Sequence, residues 1–121
     1  MIRAALLLAP LAACATPAVA PDPLAGLVAG EPANCISLNR NTSPEVVDER
    51  TILYRETARR VWRTGPVGDC PGLRPIATLI VRVQGAQLCR DDPFQVVAPQ
   101  QIIASGICRF DRFTPYERPR R

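Results

Sequence analysis

The sequence predicts an all-β domain, a small disulfide-stabilised barrel or sandwich with a short N-terminal helix; α+β is the alternative. Three observations carry this. From Cys35 onward, short apolar runs alternate with a period of two and are broken by Gly, Pro, Asn and Asp, the spacing of strands and turns. Upstream, only the segment from Asp22 to Gly30 carries a helical stripe. The 121 residues also include five cysteines, and an odd count in an exported chain implies bridges plus one thiol with another use.

The N terminus explains the odd thiol. Met1-Ile2-Arg3 is a basic start, Ala4 to Ala9 is apolar throughout, and Leu11-Ala12-Ala13-Cys14 reads as a lipobox. The run is shorter than the ~20 residues a membrane-spanning helix needs and fits the apolar core of a signal. On this reading residues 1–13 are a lipoprotein signal peptide, Cys14 carries the lipid, and residues 14–21 form a tether. Ala18-Val19-Ala20 offers ordinary signal cleavage instead, which would give a soluble periplasmic or secreted protein. Against it, Pro21 would follow the scissile bond, a constrained residue where a peptidase needs an extended chain. The segment resembles bacterial lipoprotein signals, and Ala15 stands where Asp would resemble the inner-membrane retention signal. The resemblance implies an address on the periplasmic face of the outer membrane, with the membrane as a partner through Cys14. Each buried methylene of such an anchor contributes about 0.8 kcal/mol.

Past the tether, a single domain is expected over residues 22–116, with residues 117–121 a disordered basic tail. At this size apolar burial alone leaves a thin margin. In an oxidising compartment Cys35, Cys70, Cys89 and Cys108 are expected to pair. Four cysteines allow three connectivities; Cys70–Cys89 and Cys35–Cys108 are expected, the second clipping the first strand to the last because domain termini often lie close together. There is no C-x-x-C and no His, so neither a metal nor a cofactor is expected.

In chain order, Asp22 suits a helix N-cap, Pro23 the first helical position and Gly30 the residue past the end. Leu24, Leu27 and Val28 form its apolar stripe. Strands are then expected at Cys35 to Arg40, Glu45 to Asp48, Thr51 to Arg55 and Arg60 to Thr64, the last two as a hairpin. A loop bracketed by Gly65-Pro66 and Pro71-Gly72 holds Cys70. In the strand from Ile76 to Val83, Ala77, Leu79, Val81 and Val83 share one face, and Thr78, Ile80 and Arg82 the other. Gln84-Gly85 turns the chain into Gln87-Leu88-Cys89; Phe94 to Ala98 follows, and Ile102 to Phe113 is a last strand interrupted at Ser105-Gly106. From Pro115 onward the chain is expected to fray.

Four blocks surround the cysteines: Cys35-Ile36; Asp69-Cys70-Pro71-Gly72-Leu73-Arg74; Gln87-Leu88-Cys89-Arg90-Asp91-Asp92; and Cys108 with Phe113-Thr114-Pro115-Tyr116. Together they resemble an uncharacterised family of small bacterial lipoproteins, a domain of unknown function, from Leu24 to about Pro119. Asp91 stands where that family usually has Gly, and Arg109-Phe110-Asp111 replaces a more apolar stretch containing Gly. The resemblance implies the architecture and brings no activity, cofactor or substrate.

All 15 basic residues are Arg, against 11 acidic ones, for a net charge of +4. Arg forks bind phosphate and carboxylate bidentately, although a GC-rich genome would also enrich Arg. Nucleic acid is not an expected partner of an exported chain. With neither His nor Lys, the usual general bases are missing. Asp91-Asp92 with Asp48 or Glu49 could form a glycosidase-type pair, but Asp91-Asp92-Pro93 equally spells a turn. Tyr54, Arg59, Arg60, Trp62 and Arg63 gather on the hairpin as a candidate binding surface; Tyr54 and Trp62 could equally be a stabilising cross-strand pair. The expected role is a noncatalytic binding or structural accessory of the cell envelope. Its partner would be an envelope protein or an anionic polymer. An envelope hydrolase, or an assembly helper or inhibitor of another exported protein, is the alternative.

Overall fold

The computed structural model describes residues 10–16, 21–39 and 42–120. Residues 1–9 of the expected signal, residues 17–20 of the expected tether, and Arg40, Asn41 and Arg121 lie outside the described residues. Among the described residues the fold is all-β, with three antiparallel sheets around one core. The strands are β1 (Val28–Ala29), β2 (Cys35–Ser37), β3 (Pro44–Asp48), β4 (Thr51–Arg55), β5 (Arg60–Thr64), β6 (Thr78–Val81), β7 (Gln87–Cys89), β8 (Pro93–Val97), β9 (Cys108–Arg109) and β10 (Thr114–Glu117). One sheet has the order β1-β10-β5-β4-β3, open at β1 and β3; the others are β2-β7 and β6-β8-β9.

The period-two runs become strands because their apolar faces meet. Ile36, Ile52, Tyr54, Leu73, Leu88, Phe94, Val96, Phe110 and Phe113 are buried in one cluster. Phe94 and Phe110 stack at 4.3 Å between centroids, and Tyr54 forms T-shaped pairs with Phe110 and Phe113 at 6.3 and 6.4 Å. In β6 the expected alternation holds, with Leu79 and Val81 packed inward and Thr78 and Ile80 outward. The β4–β5 hairpin falls where the sequence places it, with Tyr54 opposite Trp62.

The expected N-terminal helix does not form. Asp22 Oδ1 does accept the Leu24 N–H at 2.9 Å, but it opens consecutive turns. Gly26, with φ of 78°, supplies the left-handed residue expected at Gly30. Val28 and Ala29 pair with Glu117 and Tyr116 instead. A two-turn helix is marginal in water, and the ladder satisfies the same backbone groups against a neighbour.

The chain end is corrected by the same pairing. Pro115 does not start a frayed tail; it lies in β10 opposite Trp62, and Glu117 stands opposite Arg60. The Pro115 carbonyl accepts the Gly30 N–H at 2.8 Å, so its ring nitrogen faces the β1 side and the β10–β5 ladder loses no donor. Conversely, the expected strand from Ile102 begins pairing only at Cys108; Ile102 and Ile103 sit in an exposed loop.

All four expected cysteines are bridged, but with different partners. Cys35 joins Cys89, its direct opposite in the β2–β7 ladder, and Cys70 joins Cys108. The termini do meet, as the expected Cys35–Cys108 bridge required, but the β1–β10 ladder brings them together. Cys35 lies one strand inward and finds β7.

Candidate functional site

The β4–β5 hairpin closes through Glu56 to Arg59. Glu56 and Thr57 donate their N–H groups to the Arg60 carbonyl, and Thr57 Oγ1 accepts from the N–H groups of Arg59 and Arg60, both at 3.1 Å. This tight tip fixes which way each arginine faces. Arg60 and Trp62 alternate with Arg59, Val61 and Arg63, so the two sets lie on opposite faces of the strand.

On the first face the charges are internally matched. Trp62 Nε1 donates to Glu56 Oε2 at 2.8 Å, and the Arg60 guanidinium lies 5.7 Å from the Trp62 ring centroid. That guanidinium also binds Glu117 and approaches Glu56 Oε2 at 3.5 Å. Two carboxylates around one guanidinium leave little field for an outside anion. Tyr54 is only 2% exposed, and burial holds its phenol pKa well above the usual value. It is a core residue and is removed from the expected binding surface.

On the second face lies an open groove of about 1020 Å³. One wall is the turn from Pro23 to Leu27, another is the hairpin tip with Arg55 and Arg59, and the third is Arg118 to Arg120. The last stretch is held in place by the Arg118 N–H donating to the Arg59 carbonyl at 3.2 Å. Val61, 3% exposed, and half-buried Leu27 give the groove an apolar floor. Four arginines line it: Arg55, Arg59, Arg118 and Arg120. Arg55 reaches Glu45 at 3.5 Å, with both side chains 54% exposed, a weak pairing. Arg59, Arg118 and Arg120 form no ion pair among the described residues, and no carboxylate lines the groove.

The structure therefore divides the five residues expected to act together. Arg59 enters the groove, Arg60 and Trp62 form the matched network, Tyr54 is buried, and Arg63 lines another cleft with Arg50, Asp111 and Arg112. The sequence alone does not mark Arg55, Arg118 and Arg120 as site residues. Arg118-Pro119-Arg120 is a visible basic run, but nothing local reveals that β10 carries it to the hairpin tip.

Of the residues weighed for acid–base chemistry, Asp92 Oδ2 accepts the Cys89 N–H at 2.7 Å, and Asp91 takes φ of 68°. These are turn roles, and Asp tolerates the left-handed region better than most residues. Asp48 Oδ1 accepts the Arg50 N–H at 2.8 Å, while Glu49 lines a cleft with Arg50, Asp69 and Leu73. Among the described residues no group of three or more His, Cys, Asp or Glu is placed to hold a metal, and no helix is long and apolar enough to cross a membrane. Cys14 is exposed and belongs to neither disulfide.

No family model, no curated protein and no solved structure matches this chain.

Proposed function

We propose that the chain is a lipid-anchored protein of the outer membrane's periplasmic face, acting as a noncatalytic binding accessory of the cell envelope. The arginine groove carries the binding reading. Arg55, Arg59, Arg118 and Arg120 line it over an apolar floor, and the last three form no ion pair among the described residues, so their positive charge is left for an outside anion to neutralise. The address rests on the lipobox and on Cys14, the one cysteine that the two bridges leave over. An anionic envelope component fits this surface better than a neutral one, because each Arg fork matches a phosphate or carboxylate.

Two measurements test the reading. Labelled palmitate should be incorporated by the native chain and lost in Cys14→Ser. Photo-crosslinking from position 59 in cells should recover an anionic envelope component. Crosslinking from position 63, outside the groove, serves as the comparison. An unlabelled chain would remove the anchor, and equal recovery from both positions would remove the groove.

A further inference from the structure

We infer that the arginine groove docks on the phosphate groups of anionic phospholipids in the bilayer that holds the anchor, so that the domain lies against that membrane in one orientation. The inference rests on the proposed lipidation for its reach and deepens the proposed binding role.

Chain length supports a membrane as the occupant. Pro23 forms part of the groove wall and lies nine residues after Cys14. At no more than ~3.3–3.6 Å per residue, an anchored sulfur keeps this wall within about 30 Å of the membrane surface. The Pro23 to Leu27 wall of the groove is thus the part of the domain nearest the anchor along the chain.

Charge and shape point the same way. Arg59, Arg118 and Arg120 are exposed and form no ion pair among the described residues. An open groove of about 1020 Å³ suits several headgroups better than one enclosed small molecule. Guanidinium groups bind phosphate oxygens two at a time. A basic surface beside a lipid chain is the usual second signal for membrane contact, and each basic residue near an anionic surface raises binding roughly fivefold.

The test uses the full chain carrying Cys14→Ser, which reads the groove without the anchor. Sedimentation with phosphatidylglycerol vesicles is compared with phosphatidylcholine vesicles at low salt. The expected result is binding to the former alone. The triple variant Arg59→Gln/Arg118→Gln/Arg120→Gln should lower it about a hundredfold. A second triple variant, Arg74→Gln/Arg82→Gln/Arg112→Gln, removes the same charge outside the groove and should lose much less. Thermal melts of both variants establish that each is folded.

Equal losses in the two triple variants would overturn the groove assignment in favour of general charge attraction. Binding to soluble polyphosphate but not to phosphatidylglycerol vesicles would overturn the membrane as occupant. A native chain that takes up no labelled palmitate in cells would instead defeat the anchor, a result independent of the vesicle measurement.

Discussion

Trp62 donates its indole N–H to Glu56 Oε2 across 2.8 Å, tying the second arm of the hairpin to the loop that closes it. The same carboxylate meets Arg60, which also binds Glu117 in β10. One small network thus holds the hairpin tip against the last strand, and so positions the groove on the other face. Trp62→Phe keeps a ring and removes the donor. It should cost about 1 kcal/mol, a fall in Tm of roughly 4–8 °C for a domain of this size. A double-mutant cycle with Glu56→Ala should show a coupling above about 0.5 kcal/mol; strict additivity would show that the hydrogen bond contributes nothing.

The two disulfides differ in access. Cys70 and Cys108 are 6% and 8% exposed, whereas Cys35 is exposed and Cys89 half-buried at the β2–β7 ladder. Thiolate attack requires a path to sulfur. Under limiting reductant without denaturant, Cys35 and Cys89 should be alkylated first, and peptide mapping should find Cys70–Cys108 still closed. The bridges span 54 and 38 residues, so deleting either pair should cost about 4 kcal/mol by loop-closure entropy. Simultaneous opening of both would mean that one unfolding event controls access.

Where neighbours in sequence decide structure, the chain was legible. Thr51–Arg55 and Arg60–Thr64 are strands at the residues expected, since alternation and a short polar connection suffice to specify a hairpin. Contacts between distant segments were not legible. The pairing of Cys35 with Cys89 depends on β2 lying beside β7, and neither three-residue strand announces its neighbour. Asp22 to Gly30 has helix signals at both ends, yet β10 takes up Val28 and Ala29. The groove has the same origin. Arg59 was found from the hairpin, while Arg118 and Arg120 join it only through the β5–β10 register.

Tyr54 gives the fold an alkaline limit. Burial keeps its phenol neutral and raises its folded-state pKa above the unfolded value of about 10. Above pH ~10 the unfolded chain therefore binds fewer protons than the folded one, and stability falls as pH rises. Below that pH the contribution is fully present. Tyr54→Phe should flatten the decline above pH ~10 while leaving the neutral-pH profile nearly parallel to that of the native chain. The absence of Lys keeps the measurement clean, because no ammonium groups titrate in the same range. Urea midpoints from pH 7 to 11 would check this; an unchanged alkaline slope would show that Tyr54 reaches water before it ionises.

Gly65 holds the end of β5 against the β3–β4 turn. A Cβ built there would overlap the carbonyl oxygen of Arg50, a backbone atom that no rotamer change can move. The Gly65 carbonyl also accepts the Asp111 N–H at 2.9 Å, so this close approach sits beside the crossing from β9 to β10. Gly65→Ala must push one of these backbones away, at a cost of roughly 1–3 kcal/mol. The unfolded-state gain from removing a glycine, about 0.4–1 kcal/mol, does not offset it. Gly106 is the matched comparison: its φ is not positive and a Cβ there meets nothing within 4 Å. Gly106→Ala should be neutral or slightly stabilising. The two urea midpoints should therefore move in opposite directions, or one should not move, at unchanged m-value. Equal midpoints would show that the Arg50 carbonyl yields freely, and that the β3–β4 turn is looser than its packing against Gly65 implies.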